Sequence, residues 1–123
     1  MATYTLFVDM SFTAQHQLSF ENGTKEPLHE HDWKVCAAVS SAQLDKDELV
    51  LDFEELKCMI ESILSGFQGQ RLESLPIFEN RNVSAETVAR TLHEQLAPKL
   101  PCTVRLEFIE VTEAPDCRAR YAP

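Results

Sequence analysis

The 123-residue chain has little of what several large protein classes depend on: three glycines, no CxxC pair, and eleven Lys and Arg against twenty Asp and Glu. Few glycines and a 44% hydrophobic content exclude a flexible low-complexity segment. Domains typically run roughly 100 to 150 residues, so a single domain over residues 1–123 is expected. The formal net charge is -9, and the basic residues are scattered rather than gathered on a stripe. That argues against nucleic acid, whose phosphates require clustered cations. No apolar run approaches the ~20 residues of a membrane span. The first fifteen residues carry Asp9 and no positive charge, unlike a secretory signal. A cytoplasmic protein, with neither nucleic acid nor membrane as partner, is expected. Cys36, Cys58, Cys102 and Cys117 are too dispersed for a zinc ribbon or a disulfide framework. They read as buried or idle thiols.

What is present is a clear change of period along the chain. Residues 4–18 alternate, with Tyr4, Leu6, Val8, Met10, Phe12, Ala14, His16 and Leu18 on one parity, as in a half-buried strand. Residues 19–28 collect Asn, Gly and Pro and read as a loop. His29, His31, Trp33, Val35, Ala37 and Val39 then alternate as a second strand. From Asp52 the spacing becomes helical, with Phe53, Leu56, Met59, Ile60, Ile63, Leu64 and Phe67 inward. Asp52 with Glu55 forms a variant capping box, and the helix ends near Gly66 or Gly69. Residues 68–83 are polar and irregular. Ser84 caps a second helix that turns Ala85, Val88, Ala89, Leu92 and Leu96 inward and is closed by Pro98 and Pro101. Residues 102–113 form a strand that changes parity at a bulge near Phe108 and Ile109, and residues 116–121 a short last strand. The order β-β-α-α-β-β predicts an α+β fold, a four-stranded antiparallel sheet with two helices on one face. Its two exposed edges predict oligomerisation into a closed barrel.

Three of the four histidines lie where the first two strands bring them together. His29 and His31, two apart on a strand, leave the same face. His16 continues the apolar parity of the first strand, so all three imidazoles point to the core side at its open end. Three imidazoles with a fourth position left for water or substrate form a catalytic zinc arrangement, because structural sites are closed by four protein ligands. A chance pair of unrelated histidines would also read HxH. His93, beside Glu94 in the second helix, reads as solvent-facing.

Those residues match a known pattern. FTAQH (12–16) resembles the FxAxH of the 6-pyruvoyl-tetrahydropterin synthase and 6-carboxy-tetrahydropterin synthase family, and LHEHDWKV (28–35) resembles its LHGHxYxV. LVLDFEELK (49–57), NVSAETVA (82–89) and VTEAPDCRARY (111–121) are similar to its later blocks, MVxDFxxLK, NPTxExxA and ETPxxxAxY, in order. The resemblance implies the tunnelling fold and Zn²⁺ held by His16, His29 and His31. It further implies a pterin substrate anchored at its 2-amino-4-oxo edge by Glu113, and a homohexamer of two trimers.

The chain also departs from the family. Many members carry a Cys shortly before HxH, and none lies between His16 and His29 here. Glu26 stands three residues before His29, which resembles the subgroup that cleaves the side chain of dihydroneopterin triphosphate to a 6-hydroxymethyl pterin. Glu26 is therefore the implied proton-transfer residue. Where members have an Asp-His relay in a DHxxLN block, this chain reads QGQRLES (68–74), and Glu30 replaces the Gly of HGH. These departures leave a lyase-like enzyme and a pterin- and zinc-binding paralogue without turnover both open, beside a third reading, a structural oligomer with incidental histidines. Lys25, Arg81, Arg118 and Arg120 are candidates to receive a triphosphate.

Overall fold

The computed structural model describes residues 2–123. Strands β1 (Tyr4–His16) and β2 (His29–Ser41) pair antiparallel along their full length, from Tyr4 opposite Ser41 to His16 opposite His29. Helices α1 (Phe53–Leu64) and α2 (Ala85–Leu96) follow, then β3 (Arg105–Ala114) and β4 (Cys117–Tyr121). The sheet order is β1-β2-β3-β4, antiparallel throughout, and is the predicted ββααββ fold.

Period-2 patterning fixes which face the helices cover. Val8, Phe12, Ala14, His16, Trp33, Val35, Ala37 and Val39 are buried, as their parity requires. Leu56, Ile60, Leu64, Val88, Ala89, Leu92 and Leu96 of the two helices are buried in the same core. Phe12 and Trp33, opposite one another across β1 and β2, stack with ring centroids 5.8 Å apart, and Trp33 Nε1–H donates to Ala14 O at 3.2 Å. This buried aromatic pair forms the floor beneath the histidines.

Asp52 caps α1 by accepting from Glu54 N–H at 2.8 Å, and Ser84 caps α2 by accepting from Thr87 N–H at 3.2 Å. Phe53 departs from its expected inward position; it is the first helical residue and is exposed. The bulge lies one residue earlier than expected. The β2–β3 register shifts between Ala38 and Val39, opposite Phe108 and Leu106, so that Glu107 is the extra residue.

His93 is a correction to the sequence reading. It is buried, its Nε2 lies 3.2 Å from Leu106 O, and its ring meets Tyr121 edge-on at 5.2 Å. It follows Leu92 on the face packed against β3 and β4, and helical spacing could not distinguish a polar ring with a backbone partner from a solvated one. Cys58, Cys102 and Cys117 are exposed, Cys36 is half-buried, and all four are free thiols.

Residues 68–83, irregular in sequence, run along the edge of β1. Thr13 N–H donates to Gln68 Oε1 at 3.0 Å, Gly69 N–H to Thr13 O at 2.7 Å and Gln15 N–H to Gln70 O at 2.9 Å. Gln17 N–H donates to both oxygens of Glu73, each at 3.1 Å. Backbone and side-chain groups of this segment together satisfy an edge that no other strand of the described residues covers.

Candidate metal centre

The pairing of β1 with β2 sets His16 directly opposite His29 and Ala14 opposite His31, so the three imidazoles share the core-side face at one end of the ladder. Their ring centroids are 4.5 Å (His16–His29), 4.5 Å (His29–His31) and 5.3 Å (His16–His31) apart. Their side chains do converge, as the parity argument required.

Two of the rings are oriented by backbone carbonyls. His16 Nδ1 lies 2.8 Å from Val83 O, and His29 Nδ1 lies 2.8 Å from Pro27 O. A carbonyl only accepts, so in each ring Nδ1 carries a proton and, when the ring is neutral, Nε2 presents a lone pair to the centre. His16 Nε2 is buried without a hydrogen-bond donor among the described residues, although Glu113 Oε1 lies 2.7 Å away. Two lone pairs facing each other at that distance repel unless a proton or a cation lies between them. Burial holds the His31 imidazole below its usual pKa of 6.5, and the neighbouring His29 and His16 add to this, while Glu113 opposes it. A neutral imidazole is the form that ligates a metal.

Ligand atoms from His16, His29, His31 and Glu113 all lie within 4.8 Å of one another. Neutral imidazoles whose second nitrogen is held by a carbonyl, with one carboxylate beside them, suit a divalent ion that accepts nitrogen and oxygen donors. The residues present therefore fit a metal. Glu113 stands within this group, its Oε1 also 3.8 Å from His31 Nε2. Glu26 is brought back to the site by a small looped hairpin: Glu26 N–H donates to Leu18 O at 3.0 Å, and Leu18 N–H to Glu26 Oε1 at 3.0 Å. That oxygen lies 3.6 Å from His29 Nε2. Gly23, with φ of +88°, makes the turn that lets the loop double back.

A cavity of about 380 Å³ opens beside the centre, where β2 and β3 separate, and is lined by Glu30, His31, Asp32, Lys34 and Glu113 among others. Arg118 and Arg120 instead pair with Glu110, at 3.4 and 2.8 Å. Glu110 precedes the buried Val111 and so faces the opposite side of the sheet from the histidines. Sequence reasoning missed the two carbonyls that orient the rings, because a backbone acceptor leaves no mark in residue type. It also missed that Glu113 touches the ligand set; only the strand pairing reveals that proximity.

No match emerges among curated protein sequences. Among solved structures, 6-pyruvoyl tetrahydropterin synthase from Caenorhabditis elegans superposes with a TM-score of 0.87 at 20% identity, covering 100% of this chain and 97% of that one. The enzyme of that name from Plasmodium vivax gives 0.79 at 18% identity, with 98% of each chain covered. Two variants of the Plasmodium vivax protein, in which a glutamate described as a catalytic residue is replaced by alanine or cysteine, match at a TM-score of 0.74 and 18% identity, with 98% of each chain covered. The family profile described as 6-pyruvoyl tetrahydropterin synthase matches residues 5–123. With the fold and nearly the whole sequence in agreement, this chain belongs to the 6-pyruvoyl tetrahydropterin synthase family.

Proposed function

We propose that the chain is a zinc-dependent, lyase-like enzyme acting on 7,8-dihydroneopterin triphosphate or a closely related dihydropterin. The observation that carries the reading is the convergence of His16, His29 and His31 beside two carboxylates, in a chain of this family. A bound zinc ion would supply Lewis acidity to the oxygens of the pterin side chain. Glu113 would bind the substrate, since a carboxylate accepts two parallel N–H bonds from the 2-amino-4-oxo edge. Glu26 would move the proton. It is fixed by Leu18 N–H, borders the ligand set, and has a counterpart in kind in the catalytic glutamate named for the Plasmodium vivax protein. Among the described residues, the outer edge of β4 and the Thr5 to Ser11 stretch of the outer edge of β1 have no strand neighbour, which supports assembly by strand pairing, as in a hexamer of two trimers. The protein would work in the cytoplasm.

Zinc-loaded protein incubated with 7,8-dihydroneopterin triphosphate, followed by mass spectrometry, tests the reading. Cleavage or rearrangement of the C6 side chain, lost in Glu26→Ala while pterin binding persists, is the expected result. Unchanged substrate at full zinc occupancy would overturn it. A second reading, a pterin-binding paralogue without turnover, is favoured by residues 68–74, which hold no Asp or His and are instead committed to the edge of β1. Tight pterin binding without product, indifferent to Glu26→Ala, supports that second reading.

A further inference from the structure

Val83 O, which receives the Nδ1 proton of His16, belongs to a segment with no strand or helix of its own. It lies between the irregular edge of residues 68–82 and the first turn of α2. Something must fix that carbonyl, because a shift of about an ångström would break its bond to the buried ring. Ser84 fixes it on one side through the α2 cap. On the other side stands Asn82. Ser19 N–H donates to Asn82 Oδ1 at 2.9 Å, and Asn82 Nδ2 donates to Ser19 O at 2.8 Å. One amide thus reproduces both bonds of an antiparallel strand pair and ties residues 82–83 to the chain just beyond His16.

We infer that Asn82 is a positioning residue for the metal centre: by clasping the backbone of Ser19, it holds the Val83 carbonyl on His16 Nδ1 and so commits His16 Nε2 to the metal. The inference rests on the proposed metal reading. Its logic is geometric. Nδ1 and Nε2 of a neutral imidazole compete for one proton, and a carbonyl held at 2.8 Å from Nδ1 decides the competition. Asparagine alone among the short side chains offers a donor and an acceptor on one planar group. Aspartate at this position would keep the bond from Ser19 N–H and lose the bond to Ser19 O.

The experiment compares the full chain with Asn82→Ala, Asn82→Asp and Gln68→Ala. Gln68 makes a single side-chain bond at the far end of the same segment, accepting from Thr13 N–H, and serves as the structural control. Zinc affinity is measured by competition with a chromophoric chelator. The ring N–H of His16 is followed by ¹H–¹⁵N NMR in the metal-free protein, with the ring of buried His93 as internal reference. Asn82→Ala is expected to weaken zinc binding about 10- to 100-fold, the range for loss of support to a metal ligand. It should also speed solvent exchange of the His16 ring proton, while the His93 signal stays in place. Asn82→Asp should fall between, and it decides the question if the alanine variant does not fold. Gln68→Ala should bind zinc as the parent does. An Asn82 variant with parental zinc affinity and a protected His16 ring proton overturns the inference, as does an equal loss in Gln68→Ala. If the parent binds no zinc, the metal reading fails; the ring-proton signal still decides whether Asn82 fixes His16.

Discussion

His16 Nε2 and Glu113 Oε1 face each other at 2.7 Å, and the imidazole has already committed its other nitrogen to Val83 O. The approach is favourable only with positive charge between the two atoms, so a metal ion should stabilise the folded chain. An ion at 100 times its dissociation constant adds about 2.7 kcal/mol, which for a chain of this size raises the melting temperature by on the order of 10 °C. Zinc titrated during thermal melts should show this rise. His29→Ala removes one part-exposed ligand and should abolish most of it, leaving the metal-free melt close to the parent. An equal rise in both proteins would place the ion elsewhere.

In the metal-free protein, His31 should contribute a loss of stability as the pH falls below neutrality. The folded state holds the His31 pKa below 6.5, chiefly through burial, so the unfolded chain takes up this proton first as pH falls. Where the unfolded state binds more protons, stability declines with falling pH. Urea unfolding between pH 7.5 and 5.5 should therefore show a loss that begins near 6.5 and levels off once the folded ring is protonated too. His31→Gln should flatten that slope. A slope preserved in the variant would assign the effect to another group.

The four thiols should react at different rates. Burial, with a hydrogen bond to Asp9, pushes the Cys36 thiol up to about 11 from 9.0, whereas Cys58, Cys102 and Cys117 are exposed. Only the thiolate is alkylated, so this rise lowers the Cys36 thiolate fraction about 100-fold below that of an ordinary thiol. Iodoacetamide at pH 8, followed by peptide mapping, should label three sites quickly and Cys36 last. Early labelling of Cys36 would contradict its half-buried setting.

Trp33 provides an internal reporter. It is the one tryptophan of the chain, and its ring centroid lies 4.8 Å from that of His16 and 5.8 Å from that of His31. Cobalt(II) bound to these imidazoles should quench its fluorescence, saturating at one equivalent per chain. Quenching that survives in His29→Ala would show that the ion does not sit among the three rings.

The alternation of β1 and β2 made the ligand set legible: once Phe12 and Ala14 are read as core, His16 must share their face, and His29 and His31 share the face of Trp33. The caps at Asp52 and Ser84 were legible for the same local reason. Residues 68–83 were not. Their partners, Thr13 to Ser19, lie more than fifty residues away, and the bonds mix backbone pairs with side chains reaching to backbone, so no periodicity records them. His93 was misjudged because its burial depends on β3 and β4 packing over α2, a contact that a helical repeat does not encode.

The segment that covers β1 stops short of half the strand. It occupies the outward backbone groups of Thr13, Gln15, Gln17 and Ser19, and the alternating set at Thr5, Phe7, Asp9 and Ser11 remains without a strand neighbour on that side. A neighbouring copy adding its strand to β1 would have to stop at about Phe12. The ladder between copies would then be shorter than the ladder within each copy, and the histidine ends would protrude past the shared wall as a crown along its rim.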